Sequence, residues 1–290
     1  MSGVKKYFYF SGLPRSGNTL LSAILNENPD IHATGHSFLP DLFYAINNSK
    51  QNSTRFKNYP CENNLKNIYK NLIYNYYQDY NCKYVIERGD WITPYNLEIL
   101  KKHVPNNLKI VILVRDVLEI IRSFLKLCNN NSTFYINNIY NSLDHTTIFT
   151  DEIETKVDLI MDKGQYVNTI LYSIYQLKKN KQIKDFLVID YNDLVKNYKQ
   201  TIKKIYDYYE IPQFNHTFKN FKKPPIYDDF VLGAEMHKIR TDKISKCNND
   251  IELPKNVVNK YKHLNNILFD WLWVMQKYKV YFLHLFICQN

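Results

Sequence analysis

The chain has 290 residues and a formal net charge of +10, a length that suits one large α/β domain or two small ones. The positive charge favours an anionic partner, yet the lysines and arginines are scattered and form no block of the nucleic-acid-binding type. The five cysteines contain no C-x-x-C pair, which argues against a zinc site or a disulfide framework. We therefore expect no metal, no nucleic-acid partner and a reducing compartment.

The sequence predicts neither a membrane span nor a targeting segment. Residues 2–6 do not begin a signal peptide, and the apolar run 280–288 is too short to cross a bilayer. We expect a cytoplasmic protein without stable membrane insertion, and no pattern indicates an oligomeric state.

Hydrophobic periodicity predicts alternating strands and helices. Strands are expected at 7–11, 83–87, 108–114 and 186–189, with a further short strand at 31–34. Helices are expected at 19–27, 38–46, 65–76, 94–103, 117–127, 150–179 with a break near 164, 192–209, 254–264 and 266–282. Polar loops are expected at 47–60 and 128–150.

This alternation predicts an α/β fold of three layers, with a central parallel sheet and helices on both faces. The segment 108–114 is almost continuously apolar, which is typical of a parallel strand covered on both faces. Ligands of such sheets bind at the carboxyl ends of the strands. No repeat divides the chain, so we expect a single domain over 1–290.

A phosphate-binding loop is predicted between the first strand and the first helix. The spacing Gly12-xxxx-Gly17-x-Thr19 is that of a P-loop, in which backbone N–H groups and the helix N-terminus hold an anion. Asn18 stands where such loops carry lysine. Arg15 can supply the missing charge, because a planar guanidinium suits an oxygen that bridges two anionic groups.

A second anion-binding pair follows the apolar strand 108–114. Arg115 stands at its end, where P-loop enzymes that use magnesium carry an acid, so we expect a donor that reacts without a metal. Ser123 lies about two helical turns further on. Both side chains could bind one phosphate, although a surface serine and Asp116 as a helix cap would explain the same residues.

These motifs resemble those of the sulfotransferase family. Residues 11–21, with the core Pro14-Arg15-Ser16-Gly17, are similar to the 5′-phosphosulfate loop of the tyrosylprotein-sulfotransferase-like and bacterial-phage-type branch. Val114-Arg115-Asp116 with Ser123 resembles the family's 3′-phosphate motif. Segment 186–194 is similar to its Tyr-Glu-x-Leu segment, and 239–243 to the late loop that closes over the nucleotide.

The resemblance implies a P-loop-like α/β fold that binds 3′-phosphoadenosine 5′-phosphosulfate (PAPS) and transfers its sulfuryl group to a hydroxyl acceptor. The donor site would lie within residues 5–250, followed by C-terminal helices at 251–290. Arg15 would polarise the phosphosulfate bridge, and Arg88 would be a second catalytic cation. The other implied donor contacts are Ser16, Gly17, Asn18 and Thr19 at the 5′-phosphate, Arg115 and Ser123 at the 3′-phosphate, Tyr191 near the nucleotide, and Arg240 and Thr241 over it.

The general base is where the sequence departs from the resemblance. The tyrosine-sulfating branch carries a glutamate in a turn after the second strand, and here that turn is Gly35-His36-Ser37. His36 is the candidate base, because an imidazole near its ordinary pKa suits a hydroxyl acceptor. Asp41 and Glu87 are the alternative acids.

The acceptor and two competing functions stay open at this point. The acceptor could be a carbohydrate, a small molecule or a protein tyrosine, bound by the variable loops 38–62 and 128–165. A P-loop-type nucleotide-dependent kinase shares the loop spacing but lacks the lysine. A non-catalytic nucleotide-binding relative would keep the fold without a working base.

Overall fold

Five parallel strands form the central sheet of the described part of the chain. The computed structural model describes residues 5–104, 108–131, 139, 152–221, 237, 243–246 and 250–269. The strands lie in the order β2-β3-β1-β4-β5, and each neighbouring pair is parallel. Their bounds are β1 (Lys6–Gly12), β2 (Ile31–Ala33), β3 (Tyr84–Arg88), β4 (Ile110–Val114) and β5 (Leu187–Asp190).

Helices connect the strands and cover both faces of the sheet. They are α1 (Asn18–Leu25), α2 (Leu39–Asn52), α3 (Thr54–Asn58), α4 (Glu62–Tyr76), α5 (Pro94–His103), α6 (Val117–Asn130), α7 (Ile153–Ile160), α8 (Tyr166–Lys179), α9 (Tyr191–Lys196), α10 (Tyr198–Tyr209) and α11 (Lys255–Tyr261). In the part of the chain that the structure describes, no helix has both the length and the apolar character needed to cross a bilayer.

Side chains alternate between two hydrophobic cores, one on each face of the sheet. In β1, Tyr9 packs in the first core, while Phe8 and Phe10 pack in the second, as the two-residue period of a strand requires. The first core lies under α2, α4, α5, α6, α7 and α8, and the second under α1, α9 and α10. All of β4 is buried. The predicted α/β fold with three layers is therefore confirmed.

The polar stretch 47–60 is helical, although a loop was expected there. α2 continues to Asn52, and α3 follows after Ser53. The Ser53 hydroxyl accepts a hydrogen bond from the Phe56 N–H at 3.2 Å and so caps α3. The apolar periodicity fades in this stretch because α2 is exposed along most of its length and α3 buries no residue.

Two long predicted helices are each divided. The helix expected at 150–179 forms α7 and α8, joined by a turn that includes Gly164, where the sequence predicted the break. The helix expected at 192–209 is interrupted at Asn197, which ends α9 and precedes α10. Most of the predicted loop 128–150 and of the predicted helix 266–282 lies outside the described residues.

The carboxyl ends of three strands lie side by side. β1 is central, with Phe10 opposite Arg88 of β3 and Gly12 opposite Leu113 of β4. The loop after β1, Arg88 and Arg115 therefore meet at one edge of the sheet. This edge is where parallel sheets bind their ligands.

Candidate functional site

The loop between β1 and α1 is braced by its own side chains. Asn18 is only 4% exposed, and its Nδ2 donates to the Leu13 carbonyl at 2.8 Å and to Ser16 Oγ at 3.3 Å. The Ser16 hydroxyl donates to the same carbonyl at 2.6 Å. The Asn18 side chain thus closes the loop, and a contact from Asn18 to an anion has to come from its backbone N–H.

At both glycines of the loop, neighbouring atoms lie too close to leave room for a side chain. A Cβ at Gly12 would lie 2.6 Å from the Leu113 carbonyl oxygen. Gly17 has a φ of +90°, and a Cβ there would lie 3.0 Å from side-chain atoms of Tyr191 and Leu194. The first N–H groups of any α-helix lack helical partners, and in α1 no side chain of Gly17 caps them, so they can hold an anion.

Arg15 joins the loop to β4 and α6. Its backbone is left-handed, with a φ of 63°, a conformation that costs a non-glycine residue about 1–2 kcal/mol. The Arg15 carbonyl accepts from Arg115 Nη1 at 2.7 Å, and its Nε donates to Ser123 Oγ at 2.9 Å. The strained backbone is therefore stabilised by two residues that lie about a hundred positions further along the chain.

Arg115 is buried at the centre of this arrangement. It is 3% exposed, its guanidinium lies 4.3 Å from the centre of the Tyr191 ring, and its Nη2 is 3.4 Å from Glu119 Oε2. Its Nε is buried and has no hydrogen-bond partner among the described residues. A buried, charged donor without a partner is costly, and an anion such as phosphate would satisfy it.

The structure thus brings together four residues that the sequence predicted from separate motifs. We call Arg15, Arg115, Ser123 and Tyr191 the arginine cluster. Ser123 was expected to bind the same phosphate as Arg115. It does lie in the cluster, where its hydroxyl accepts a hydrogen bond from Arg15. Thr19 lies in the first turn of α1, next to the same loop.

A second group of predicted residues lies at the ends of β2 and β3. Arg88 Nη1 donates to the Gly35 carbonyl at 2.6 Å, and the Arg88 backbone N–H donates to Thr34 Oγ1 at 2.6 Å. His36 follows Gly35 in the same turn. We call Thr34, Gly35, His36 and Arg88 the turn group. The predicted catalytic cation Arg88 and the predicted base His36 are therefore in one hydrogen-bonded unit.

His36 is an exposed residue of this turn, although other groups surround part of its ring, and its Nδ1 accepts a hydrogen bond from the Ser37 N–H at 3.0 Å. Its pKa is lowered by partial burial, and the nearby Arg88 and His237 add to the depression. The ring is therefore neutral at pH 7. With Nδ1 occupied, its proton lies on Nε2, so His36 has to release Ser37 before it can accept a proton.

The two alternative acids lie in different environments. Glu87 is fully buried, and burial raises its pKa to about 8, so its carboxyl cannot touch an acceptor bound at the surface. Asp41 is exposed in the first turn of α2, and partial burial raises the pKa of its carboxyl. Asp41 is thus the more accessible of the two.

Acidic residues at the ends of β4 and β5 act as helix caps. Asp116 accepts from the Glu119 N–H at 3.0 Å and from Asn265 Nδ2 at 2.7 Å. Asp190 accepts from the Asn192 N–H at 2.9 Å. Among the described residues, no group of three or more His, Cys, Asp or Glu side chains could hold a metal ion.

Sequence reasoning missed two features of the site. Glu119 pairs with Arg115 at the i,i+4 spacing of a helix, a pattern that the sequence does contain. The contact of Tyr77 with Glu87 has no signal in the sequence, because it joins the end of α4 to a buried strand. Arg240 and Thr241, predicted to cover the nucleotide, lie outside the described residues.

Three solved structures similar to this chain are sulfotransferases. The sulfotransferase domain from the Curacin biosynthetic pathway has a TM-score of 0.53 and 14% identity, covering 91% of this chain and 99% of that one. The sulfotransferase domain of the Synechococcus PCC 7002 olefin synthase has a TM-score of 0.47 and 15% identity, covering 88% and 93%. Mouse sulfotransferase SULT7A1 complexed with PAP has a TM-score of 0.44 and 14% identity, covering 74% and 61%. At 14% identity the likeness to the first of these concerns the fold alone.

The sequence comparisons identify the family. A comparison with curated protein sequences found no significant match. A model of the sulfotransferase family, in contrast, matches residues 9–216, which is more than half of the chain and includes the loop, the arginine cluster and the turn group. The chain therefore belongs to the sulfotransferase family, whose members are enzymes that transfer a sulfuryl group.

Proposed function

We propose that this enzyme transfers a sulfuryl group from PAPS to a hydroxyl-bearing acceptor. The observation that carries the proposal is the arginine cluster, in which Arg15 and Arg115 lie beside the N-terminus of α1. The donor has one phosphate on each side of its ribose. The α1 N-terminus fits the 5′-phosphate, and the buried, unpartnered Nε of Arg115 fits the 3′-phosphate.

Each part of the site has a distinct role in this proposal. The donor supplies an activated sulfuryl group, with adenosine 3′,5′-bisphosphate as the leaving group. Backbone N–H groups of residues 16–19 hold the 5′-phosphate, while Tyr191 fixes the Arg115 guanidinium by stacking. Arg15 and Arg88 stabilise negative charge on the bridging and outer oxygens of the transferring group. Arg240 and Thr241 remain candidates for covering the nucleotide.

His36 takes the acceptor proton in this proposal. Its lowered pKa makes it a weak base in the free protein. An anionic donor bound nearby favours the protonated form of the ring and raises that pKa, which brings the base closer to the working pH. His36 then accepts the proton at Nδ1 after releasing the Ser37 N–H, and Asp41 is the base to test if His36 proves dispensable.

The acceptor site would lie beside the turn group. α2 begins two residues after Ser37 and presents the large side chains of Phe38 and Tyr44 to solvent, at 60% and 54% exposure. Exposed aromatic rings of this kind suit the apolar face of a sugar or an aromatic ring. A carbohydrate, a small molecule and a protein tyrosine all remain acceptors within the proposal.

The donor is tested by ligand-dependent stabilisation. Adenosine 3′,5′-bisphosphate should raise the unfolding temperature without added metal, because a ligand that binds only the folded state stabilises it. Mg-ATP is the matched comparison. Stabilisation by Mg-ATP alone would contradict the sulfotransferase proposal and favour the kinase.

The chemistry is tested with Arg15→Ala. We expect this variant to lose transfer of labelled sulfate from PAPS while it keeps most of its affinity for adenosine 3′,5′-bisphosphate, because Arg15 acts on the sulfuryl bridge that the bisphosphate lacks. Near-normal transfer would show that Arg15 has another role. Bisphosphate binding by the wild type without transfer to any acceptor in a broad panel would favour the non-catalytic relative.

A further inference from the structure

Glu87 is a buried carboxyl that the proposed chemistry does not use. It is the last residue but one of β3, lies opposite Tyr9 of β1, and is fully buried. Burying a carboxyl is costly unless its oxygens are hydrogen-bonded. The partners of Glu87 therefore indicate what its carboxyl does.

Those partners connect Glu87 to the turn group. Glu87 Oε2 accepts hydrogen bonds from the Tyr77 hydroxyl and from Thr34 Oγ1, the latter at 3.3 Å. The Thr34 oxygen in turn accepts from the Arg88 N–H at 2.6 Å. One carboxyl oxygen thus contacts Tyr77 at the end of α4 and Thr34 after β2. Through Thr34 it is also linked to the backbone of Arg88, the proposed catalytic cation.

The same connection extends to the residue after His36. Ser37 Oγ lies 3.5 Å from the Tyr77 hydroxyl, and it accepts from the Leu39 N–H at 3.0 Å at the start of α2. His36 lies between Thr34 and Ser37. Its backbone is therefore held on both sides by groups that contact Glu87 or Tyr77.

We propose that Glu87 is a positioning residue whose carboxyl fixes the turn that carries His36 against Arg88. It acts through Thr34 and Tyr77 and does not touch the substrates. The expected effect on the rate of sulfate transfer rests on the proposed function. The role of Glu87 in holding the turn rests on the contacts alone.

The protonation state of Glu87 follows from its surroundings. Burial raises its pKa from 4.5 to about 8, against the opposing effect of the nearby hydroxyl side chains of Ser37 and Thr34. At pH 7 the carboxyl is then protonated. Oε1 is buried without a partner among the described residues. The titratable groups that face the Glu87 carboxyl are Tyr9 from β1 and Tyr77 after α4.

This pKa has a consequence for stability. Between about pH 4.5 and pH 8 the folded protein keeps the Glu87 proton and the unfolded chain releases it. The free energy of unfolding contributed by this group therefore falls as the pH rises through that interval. Glu87→Gln keeps an oxygen that can accept from Tyr77 and Thr34 but cannot ionise, so it should remove this dependence.

The experiment compares Glu87→Gln and Thr34→Val with Tyr9→Phe as the matched control. Tyr9 lies opposite Glu87 on the neighbouring strand, and its buried hydroxyl has no hydrogen-bond partner among the described residues. For each protein we would measure amide hydrogen exchange of residues 34–37 and 88. We would also measure stability from pH 5 to 8, adenosine 3′,5′-bisphosphate affinity, and kcat and KM for sulfate transfer.

Thr34→Val should speed exchange of the Arg88 amide and of residues 35–37, and lower kcat more than it weakens bisphosphate binding. Glu87→Gln should keep the exchange protection, flatten the pH dependence of stability, and extend transfer to higher pH. Tyr9→Phe should change none of these properties.

Two results would overturn the inference. Unchanged exchange in Thr34→Val would show that the hydroxyl does not hold the turn. A loss of at least about 100-fold in kcat for Glu87→Gln at pH 7, the size expected for a missing general base, with protection intact, would assign proton transfer to Glu87. If the wild type transfers no sulfate, the exchange and stability measurements still decide whether Glu87 fixes the turn.

Discussion

Replacing Arg115 tests whether the arginine cluster binds the 3′-phosphate on the ribose of the donor. Arg115→Met removes the charge and all five N–H donors but keeps an unbranched side chain of similar length beside Tyr191. In the folded protein Nη1 donates to the Arg15 carbonyl and Nη2 lies near Glu119, whereas the buried Nε has no partner among the described residues and would gain one from a bound phosphate. One charge-assisted hydrogen bond contributes about 1.5–3 kcal/mol, which is about a 10- to 150-fold loss in affinity.

The assay is calorimetric titration with adenosine 3′,5′-bisphosphate and with adenosine 5′-monophosphate at one ionic strength. We expect the variant to lose affinity for the bisphosphate and to keep most of its affinity for the monophosphate, because the two ligands differ only in the 3′-phosphate. Arg122→Met is the matched control, since Arg122 lies on the same helix and donates to the same Glu119 at 2.9 Å but lies outside the arginine cluster.

An equal loss for both ligands would refute this reasoning. It would show that Arg115 acts by holding the Arg15 carbonyl and thereby the whole loop, with no direct contact to the 3′-phosphate. Unchanged affinity for both ligands would remove Arg115 from the donor site. Unfolding temperatures measured in parallel separate either result from a general loss of structure.

Three further predictions concern the loop and the turn. Asn18→Ala removes the two hydrogen bonds that Nδ2 donates inside the loop, so urea unfolding should show a loss of about 1–3 kcal/mol, and an unchanged midpoint would contradict the bracing role. Gly17→Ala forces a Cβ into a backbone with a φ of +90°, so we expect a cost of at least about 1 kcal/mol and weaker bisphosphate binding by calorimetry. If binding is unchanged, the loop tolerates a side chain there. His36→Gln should lower the transfer rate about 10²- to 10⁴-fold while bisphosphate affinity is kept, and a rate close to wild type would point to Asp41.

Much of the fold could be predicted because its signals are local. The apolar run that became β4 and the glycine spacing of the loop are properties of short segments. The helical nature of 47–60 could not be predicted in the same way, because α3 buries no residue and so leaves no apolar stripe. Its cap, Ser53, is the one local signal in that stretch.

Motifs in the sequence select the candidate residues of the site but do not predict the contacts between them. Arg15, Arg115 and Ser123 were identified from motifs, yet the bond from Arg15 to Ser123 joins residues 108 positions apart. Such a contact depends on how β1 and β4 align. The link from Glu87 to Thr34, which are 53 positions apart, likewise arises from the pairing of β2 with β3 and has no signal in a short segment.

The position of β1 in the sheet has a consequence for synthesis of the chain. β1 is translated first among the strands, but its two neighbours begin at Tyr84 and Ile110. While the nascent chain grows, the aromatic segment Tyr7-Phe8-Tyr9-Phe10 has no strand to pair with until β3 has emerged. An unpaired strand of this kind is prone to self-association. The loop between β1 and α1 is therefore made before the two strands that flank β1, and it can reach its final shape only after they have paired.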